Sequence, residues 1–160
     1  MIILRASIIG LLFAVLLSVA NHLTAPEIIN NKQAFSERKI AEMVDGRDFI
    51  ATDEGYTIYE SGKPYGYVIS TKTPDGYNGN IDLIIAHDLE RRVLAVEVID
   101  HRETPGLGDA IEHDWINTFR DRQANTTVWH LSPEGDFDSI TGATITSRAM
   151  VQAVAKVIRP

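Results

Sequence analysis

The sequence predicts an α+β protein in which a single N-terminal transmembrane helix precedes one domain, built from an antiparallel sheet and flanking helices. The segment 2–20 is almost entirely apolar, and its only charged side chain is Arg5. Farther along the chain, apolar and β-branched stretches come in pairs separated by turn residues, as in β-hairpins. Helical periodicity lies before the first hairpin and after the last one. Strands grouped in hairpins with helices outside them are typical of α+β domains.

Residues 1–25 are predicted to anchor the chain in the lipid bilayer. A transmembrane helix needs about 20 apolar residues, and Ala6–Ala25 has that length. The same segment also suits a cleaved signal peptide, which needs a basic start, an apolar run and small residues such as Ser18-Val19-Ala20. The two interpretations are nearly balanced, and our expectation is an uncleaved span in the inner (cytoplasmic) membrane. Arg5 then marks the cytoplasmic side, and residues 26–160 form a domain on the periplasmic side.

Pro26 is expected to begin a helix that runs to Gly46, because the missing N–H of proline would be unpaired at a helix start anyway. Apolar and β-branched runs between turn residues predict the strands, and apolar residues at helical spacing predict two more helices. The predicted strands are Tyr56–Glu60, Pro64–Thr71, Asp82–His87, Val93–Asp100 and a short Val128–Leu131, and the helices are Asp109–Arg120 and Ser147–Ile158.

The composition excludes several classes of function. The formal net charge is −7, so the chain lacks the basic footprint of a nucleic-acid-binding protein. There is no cysteine, which excludes disulfides, thiolate zinc sites, iron–sulfur ligation and cysteine nucleophiles. The sequence has no dinucleotide-binding fingerprint, so we do not expect this chain to bind NAD. We expect no metal site and no catalytic residue, and any redox chemistry must come from another cofactor.

The segment Asp138–Ser147 opens the last predicted helix and is rich in hydroxyl groups. Four of them stand around the small pair Gly142-Ala143, and they belong to Thr141, Thr144, Thr146 and Ser147. One interpretation is redundant capping of the helix N-terminus. The other is a phosphate site, because a helix start offers unpaired N–H groups and a positive dipole end. From the residues alone, both interpretations stay open.

The pattern Asp138-x-x-Thr141-Gly142-Ala143-Thr144 resembles the flavinylation motif of FMN-binding domains in the Rnf and Na⁺-translocating NADH:quinone oxidoreductase complexes. This resemblance implies that FMN is attached covalently, through a phosphoester to Thr144. It also implies that a flavin transferase makes the bond and that Asp138 belongs to the segment this enzyme recognises. The cofactor-binding residues implied beside Thr144 are Thr141, Gly142, Ala143 and Thr146.

Two further segments resemble the same family. His101–Asp109 contains the sequence ETPGLG, and Gly76-Tyr77-x-Gly79 resembles its GYxG loop. The resemblance implies that the isoalloxazine ring lies against the first of these segments, with Leu107 as an apolar wall and with Thr104 and Gly108 as polar contacts. Tyr77 is a further candidate contact. The stretch Phe137–Val151 is especially similar to the G subunit of the Rnf complex, and the length of the chain favours that protein over the longer C subunit of the quinone oxidoreductase.

The function implied by the resemblance is that of an electron carrier. The chain would be part of a membrane complex that couples electron transfer between ferredoxin and NAD to ion translocation, and the other membrane subunits would be its partners. It would hold and tune the flavin rather than catalyse turnover alone. Two alternatives remain: a stand-alone membrane-anchored flavoprotein that serves an extracytoplasmic acceptor, and a membrane-anchored binding module without a redox cofactor, in which Thr144 only caps a helix.

Simpler interpretations apply to other polar and aromatic residues. His101 and Glu103 are expected at an exposed strand end, because no third metal ligand is evident near them. Trp115 and Phe119 are expected to pack in the core, since they share one stripe of a predicted helix.

Overall fold

A computed structural model of the chain describes residues 2–106 and 108–159. The chain forms two compact units, Met1–Arg38 and Lys39–Pro160. The first unit is the greater part of helix α1, which spans Ile2–Met43. Within α1, the 19 residues Ile9–Glu27 are long and apolar enough to cross a membrane. The predicted boundary at residue 25 between anchor and domain stays a prediction.

The prediction that a new helix begins at Pro26 is wrong, because Pro26 lies inside the continuous α1. Proline lacks the N–H that would bond the carbonyl of His22, so α1 continues through this position with one hydrogen bond fewer. The helix ends at Met43, close to the predicted end. Gly46 follows with φ of +78°, a left-handed conformation that suits glycine after a helix.

The predicted antiparallel sheet is confirmed, and its five strands follow one another in chain order. Its strands are β1 (Asp48–Thr52), β2 (Gly55–Glu60), β3 (Lys63–Gly76), β4 (Gly79–Asp88) and β5 (Val93–His101). Strand β3 runs on to Gly76 instead of ending at Thr71, so its turn into β4 is formed by Tyr77 and Asn78. Strand β1 was not predicted, because this edge strand is mostly exposed and shows no apolar alternation.

The segment after β5 is less regular than predicted. Instead of one α-helix over Asp109–Arg120 it forms two 3₁₀ helices, Gly108–Glu112 and Asp114–Phe119. They are separated by His113, whose backbone is extended (φ −110°, ψ −153°). The predicted strand Val128–Leu131 is also wrong, because only an isolated bridge between Leu131 and Phe137 forms there.

The last helix, α2, spans Thr144–Ile158 and begins before the predicted Ser147. It packs on one face of the sheet, where Met150 and Val154 meet Leu83 and Ile85 of β4. The opposite face is covered by the end of α1 and the residue after it, whose buried side chains are Ile40, Met43 and Val44. Successive side chains of a strand point to opposite faces, so the apolar run 83–86 of β4 supplies both layers of the core.

Candidate functional site

A cleft of about 530 Å³ opens where three segments meet: the β3–β4 turn, the loop after β5 and the start of α2. Its size lies within the range of ~300–1,000 Å³ that is usual for small-molecule sites. The residues that line it are Tyr77, Thr104, Gly108, Gly142, Ala143, Thr144, Ile145 and Thr146. The cleft therefore brings together residues from all three segments that carry the sequence motifs.

The start of α2 presents backbone N–H groups without helical acceptors. The first intrahelical bond runs from the N–H of Ser147 to the carbonyl of Ala143 at 2.9 Å. The N–H groups of residues 144–146 precede it, so none of them has an acceptor within the helix. Ala143 occupies the N-cap and makes no side-chain cap, and the preceding Gly142 has φ of +82°. Such a helix start favours anions.

The hydroxyl groups of this segment divide by burial. Thr146 and Ser147 are buried, and Thr146 donates a hydrogen bond to Glu103. The Ser147 hydroxyl donates to the Ala143 carbonyl at 3.0 Å and accepts the N–H of Ile140 at 2.9 Å. These two hydroxyls brace the tertiary structure, and neither one caps the helix.

Thr141 and Thr144 are both exposed, but only Thr144 lines the cleft. Thr144 is also the first residue of α2. Its hydroxyl makes no hydrogen bond to the described part of the chain. Thr144 thus combines exposure, a free hydroxyl and a place beside the unpaired N–H groups.

Glu103 is the residue whose place the sequence interpretation missed. An exposed strand end was expected, yet the side chain is only 5% exposed. Its carboxylate accepts the backbone N–H groups of Tyr77 at 3.2 Å and Asn78 at 3.0 Å, together with the hydroxyl of Thr146. These donors lie 25 to 43 residues away along the chain. A local sequence pattern holds no signal for such partners.

His101 holds the backbone of Glu103 in place. The Glu103 N–H donates to His101 Nδ1 at 3.0 Å, and His101 Nε2 lies 2.8 Å from Glu112 Oε1. Nδ1 accepts a hydrogen bond, so the ring proton belongs on Nε2, which donates it to Glu112. The described residues contain no group of three or more side chains able to hold a metal ion.

The other predicted contact residues lie on the rim of the cleft. The Thr104 hydroxyl accepts the side-chain amide of Asn78 at 3.1 Å, and the Thr104 carbonyl accepts the N–H of Gly108 at 2.9 Å. The Tyr77 side chain is 65% exposed. Leu107, the predicted apolar wall, lies outside the described residues.

Asp138, the predicted recognition residue, lies before α2 and is exposed. Its backbone carbonyl, and not its carboxylate, accepts a hydrogen bond from Trp115 Nε1 at 2.8 Å. Trp115 and Phe119 pack edge to face at 5.4 Å, as expected for core aromatic residues. The core thus fixes the backbone of Asp138 while its side chain stays outside.

The FMN-binding domain family matches residues 76–159, which is more than half of the chain and includes every residue that lines the cleft. Relatives named as the G subunit of an ion-translocating oxidoreductase complex share 43% identity over 127 residues in Shewanella amazonensis and 35% over 156 residues in Vibrio atlanticus. The Vibrio alignment covers 91% of this chain and 72% of the relative. The chain belongs to this family of FMN-binding G subunits. The resemblance predicted from the motifs is confirmed.

The chain spans only part of the length of these relatives. The alignment with the Shewanella amazonensis protein covers 72% of this chain and 59% of that protein. A relative from Salmonella typhimurium is 46% identical over 112 residues, and that alignment covers 66% of this chain and 54% of the relative. The α+β fold with its FMN-binding domain is confirmed over the matched region.

Proposed function

We propose that this member of the G-subunit family carries FMN covalently on Thr144 and passes electrons within an ion-translocating oxidoreductase complex. When bound, FMN supplies the redox chemistry that the cysteine-free chain lacks. The observation that carries the proposal is the hydroxyl of Thr144, which is exposed, free of hydrogen bonds to described residues and placed at the first residue of α2.

The start of α2 suits a phosphoester. The described lining residues of the cleft include no Lys, Arg or His, so attraction for a phosphate comes from the N–H groups of residues 144–146 and the helix dipole. An ester also removes part of the ~1.5–2 negative charges that a free phosphate monoester carries near pH 7. A diester is therefore easier to hold in a chain of net charge −7.

The remaining cleft residues have roles that follow from their positions. Gly142 and Ala143 keep the approach to the helix start free of large side chains. We assign the exposed Tyr77 ring to stacking on the flavin, Thr104 and Gly108 to polar contacts with the ring, and Leu107 to its apolar wall. Thr146 acts below the surface through Glu103. Thr141 lies outside the lining and adjoins the turn at Gly142.

We also propose partners for this chain within the complex. Electron transfer between ferredoxin and NAD, coupled to ion translocation, requires other membrane proteins of the complex, and α1 holds this chain beside them in the bilayer. We place the FMN-binding domain on the periplasmic side. A flavin transferase that recognises the exposed Asp138 segment transfers FMN from a flavin phosphoanhydride. The P–O bond to Thr144 forms as the anhydride P–O bond breaks, the nucleoside monophosphate leaves and the hydroxyl proton passes to solvent, so that Thr144 carries one FMN less one water.

Flavin fluorescence of a denatured gel band tests the proposal. The chain is produced together with a flavin transferase, and wild type is compared with Thr144→Val and with Ser139→Ala, an exposed hydroxyl residue at a variable position of the motif and outside the cleft. Wild type and Ser139→Ala should fluoresce, and Thr144→Val should not. A dark wild-type band, or a bright Thr144→Val band, would refute covalent attachment at Thr144.

A further inference from the structure

We propose that Glu103 is a positioning residue that clamps the Tyr77 turn to the start of α2 and so sets the shape and the potential of the flavin site. This inference rests on the proposed function. It concerns a side chain that does not itself line the cleft, although two of its three hydrogen-bond partners, Tyr77 and Thr146, do. Glu103 acts on a flavin through those neighbours.

The hydrogen bonds of Glu103 join the segments that form the cleft. Oε2 accepts the N–H of Tyr77 and the hydroxyl of Thr146, and Oε1 accepts the N–H of Asn78. Tyr77 and Thr146 both line the cleft, on opposite segments. One carboxylate therefore links the turn after β3 to the first turn of α2.

Close packing confines this carboxylate to one place. A Cβ on Gly76 would lie 2.8 Å from Glu103 Oε1 and 2.4 Å from the carbonyl oxygen of Gly79. A Cβ on Gly108 would lie 2.5 Å from the Cβ of Glu103. Both positions therefore need glycine, and they flank the side chain at the two motif loops. Gly76 of one motif and Gly108 of the other thus make room for the same buried glutamate.

Three hydrogen-bond donors surround the carboxylate of Glu103. All three partners of the carboxylate are donors, and a buried charge is tolerated when such hydrogen bonds replace its hydration. The clamp thus places a negative charge just behind the wall of the cleft. A nearby negative charge opposes the addition of electrons to a flavin, so Glu103 lowers its midpoint potential.

The test compares Glu103→Gln with Glu90→Gln. Gln keeps the shape of Glu but replaces one acceptor oxygen by an NH₂ donor. Glu90 is the matched control, since it is exposed and lies in the turn between β4 and β5, at the other end of β4 from the Tyr77 turn. Amide hydrogen exchange at Tyr77 and Asn78 reports the clamp in the full chain without flavin. The absorbance and midpoint potential of the flavin report its effect on the site.

Glu103→Gln should speed exchange at one or both amides by about tenfold or more, since hydrogen bonds to charged groups are among the stronger ones. It should also raise the midpoint potential, whereas Glu90→Gln should change neither quantity. Unchanged exchange would overturn the clamp. Faster exchange with an unchanged flavin spectrum and potential would reduce Glu103 to a purely structural residue.

Thr146→Val keeps the test decisive if Glu103→Gln does not fold. It removes one donor that holds the carboxylate in place, so exchange at Tyr77 should rise above the wild-type rate. No change at Tyr77 in a folded Thr146→Val protein would contradict the clamp. If wild type never carries flavin, the proposed function fails, while the exchange data still decide whether Glu103 joins the two segments.

Discussion

Ser147 stabilises the attachment segment through two hydrogen bonds at a fully buried position. Replacing it with alanine would leave the N–H of Ile140 without its acceptor. We expect Ser147→Ala to lower the free energy of unfolding by about 1–3 kcal/mol, as measured by urea denaturation. The exposed neighbour Ser139 is the control, and Ser139→Ala should change stability by no more than about 0.5 kcal/mol. Equal effects of the two variants would contradict a bracing role for Ser147.

His87 makes stability depend on pH. Burial is the largest cause that lowers its pKa below the usual 6.5, and the nearby Arg91 acts in the same direction, while the carbonyl and charge of Asp88 oppose both. Nδ1 lies 2.8 Å from the Asp88 carbonyl oxygen, and Nε2 is buried without a hydrogen-bond partner in the described chain. The folded state therefore disfavours the charged ring.

The sign of the effect follows from proton uptake. Below pH 6.5 the unfolded chain binds a proton at His87 that the folded chain does not, so stability falls as the pH is lowered through that value. His87→Asn retains a donor for the Asp88 carbonyl and should flatten this decline in urea titrations between about pH 7 and pH 5. His113→Asn, at an exposed histidine, should leave the decline in place. A wild-type decline that persists in His87→Asn would exclude His87 as its origin.

At the scale of elements, the end of α1 belongs to the core of the FMN-binding domain. Ile40 is 1% exposed and packs with Val44 against Ile58 and Ile84. Ile40→Ala should lower the free energy of unfolding by about 2–5 kcal/mol, because it leaves a cavity against the sheet. Ile50 on the edge strand β1 is 58% exposed, so Ile50→Ala should cost no more than about 1 kcal/mol. A loss at Ile40 as small as that at Ile50 would show that the α1 end is dispensable.

The elements that the sequence predicts well are those with many buried apolar side chains. Strands β4 and β5 carry apolar runs because both faces of the sheet are covered there. Strand β1 escapes prediction because it lies at an exposed edge. The spacing of Ile111, Trp115 and Phe119 suits an α-helix. The extended backbone at His113 divides the segment into two 3₁₀ helices, and the spacing of the apolar residues gives no sign of this break.

In the candidate site, too, some residues were predicted from the sequence and one was not. Motif resemblance predicted Tyr77, Thr104 and Gly108 beside the start of α2, and the cleft brings these residues together. Glu103 lies inside one of those motifs and was still expected to be exposed. Its burial depends on donors in two distant segments, and only the folded chain reveals that they converge on it.

At the scale of the whole molecule, the account predicts a retained membrane anchor. Described side chains of α1 such as Leu11 and Leu23 are each 68% exposed, a costly arrangement in water that a bilayer relieves. The full chain should remain in the membrane fraction after a high-salt wash, whereas a chain that starts at residue 26 should be released. N-terminal sequencing of the mature protein should read through Ala20. A mature chain that starts at Asn21 would make the segment a signal peptide.

Peptide mass spectrometry shows directly whether Thr144 bears FMN. Trypsin cleaves after Arg122 and Arg148 and releases the peptide Gln123–Arg148, which contains every hydroxyl of the attachment segment. For protein made alongside a flavin transferase, we expect a mass gain of one FMN less one water, with fragment ions that place it on Thr144. An unmodified wild-type peptide, or an adduct on any other residue, would refute attachment at Thr144.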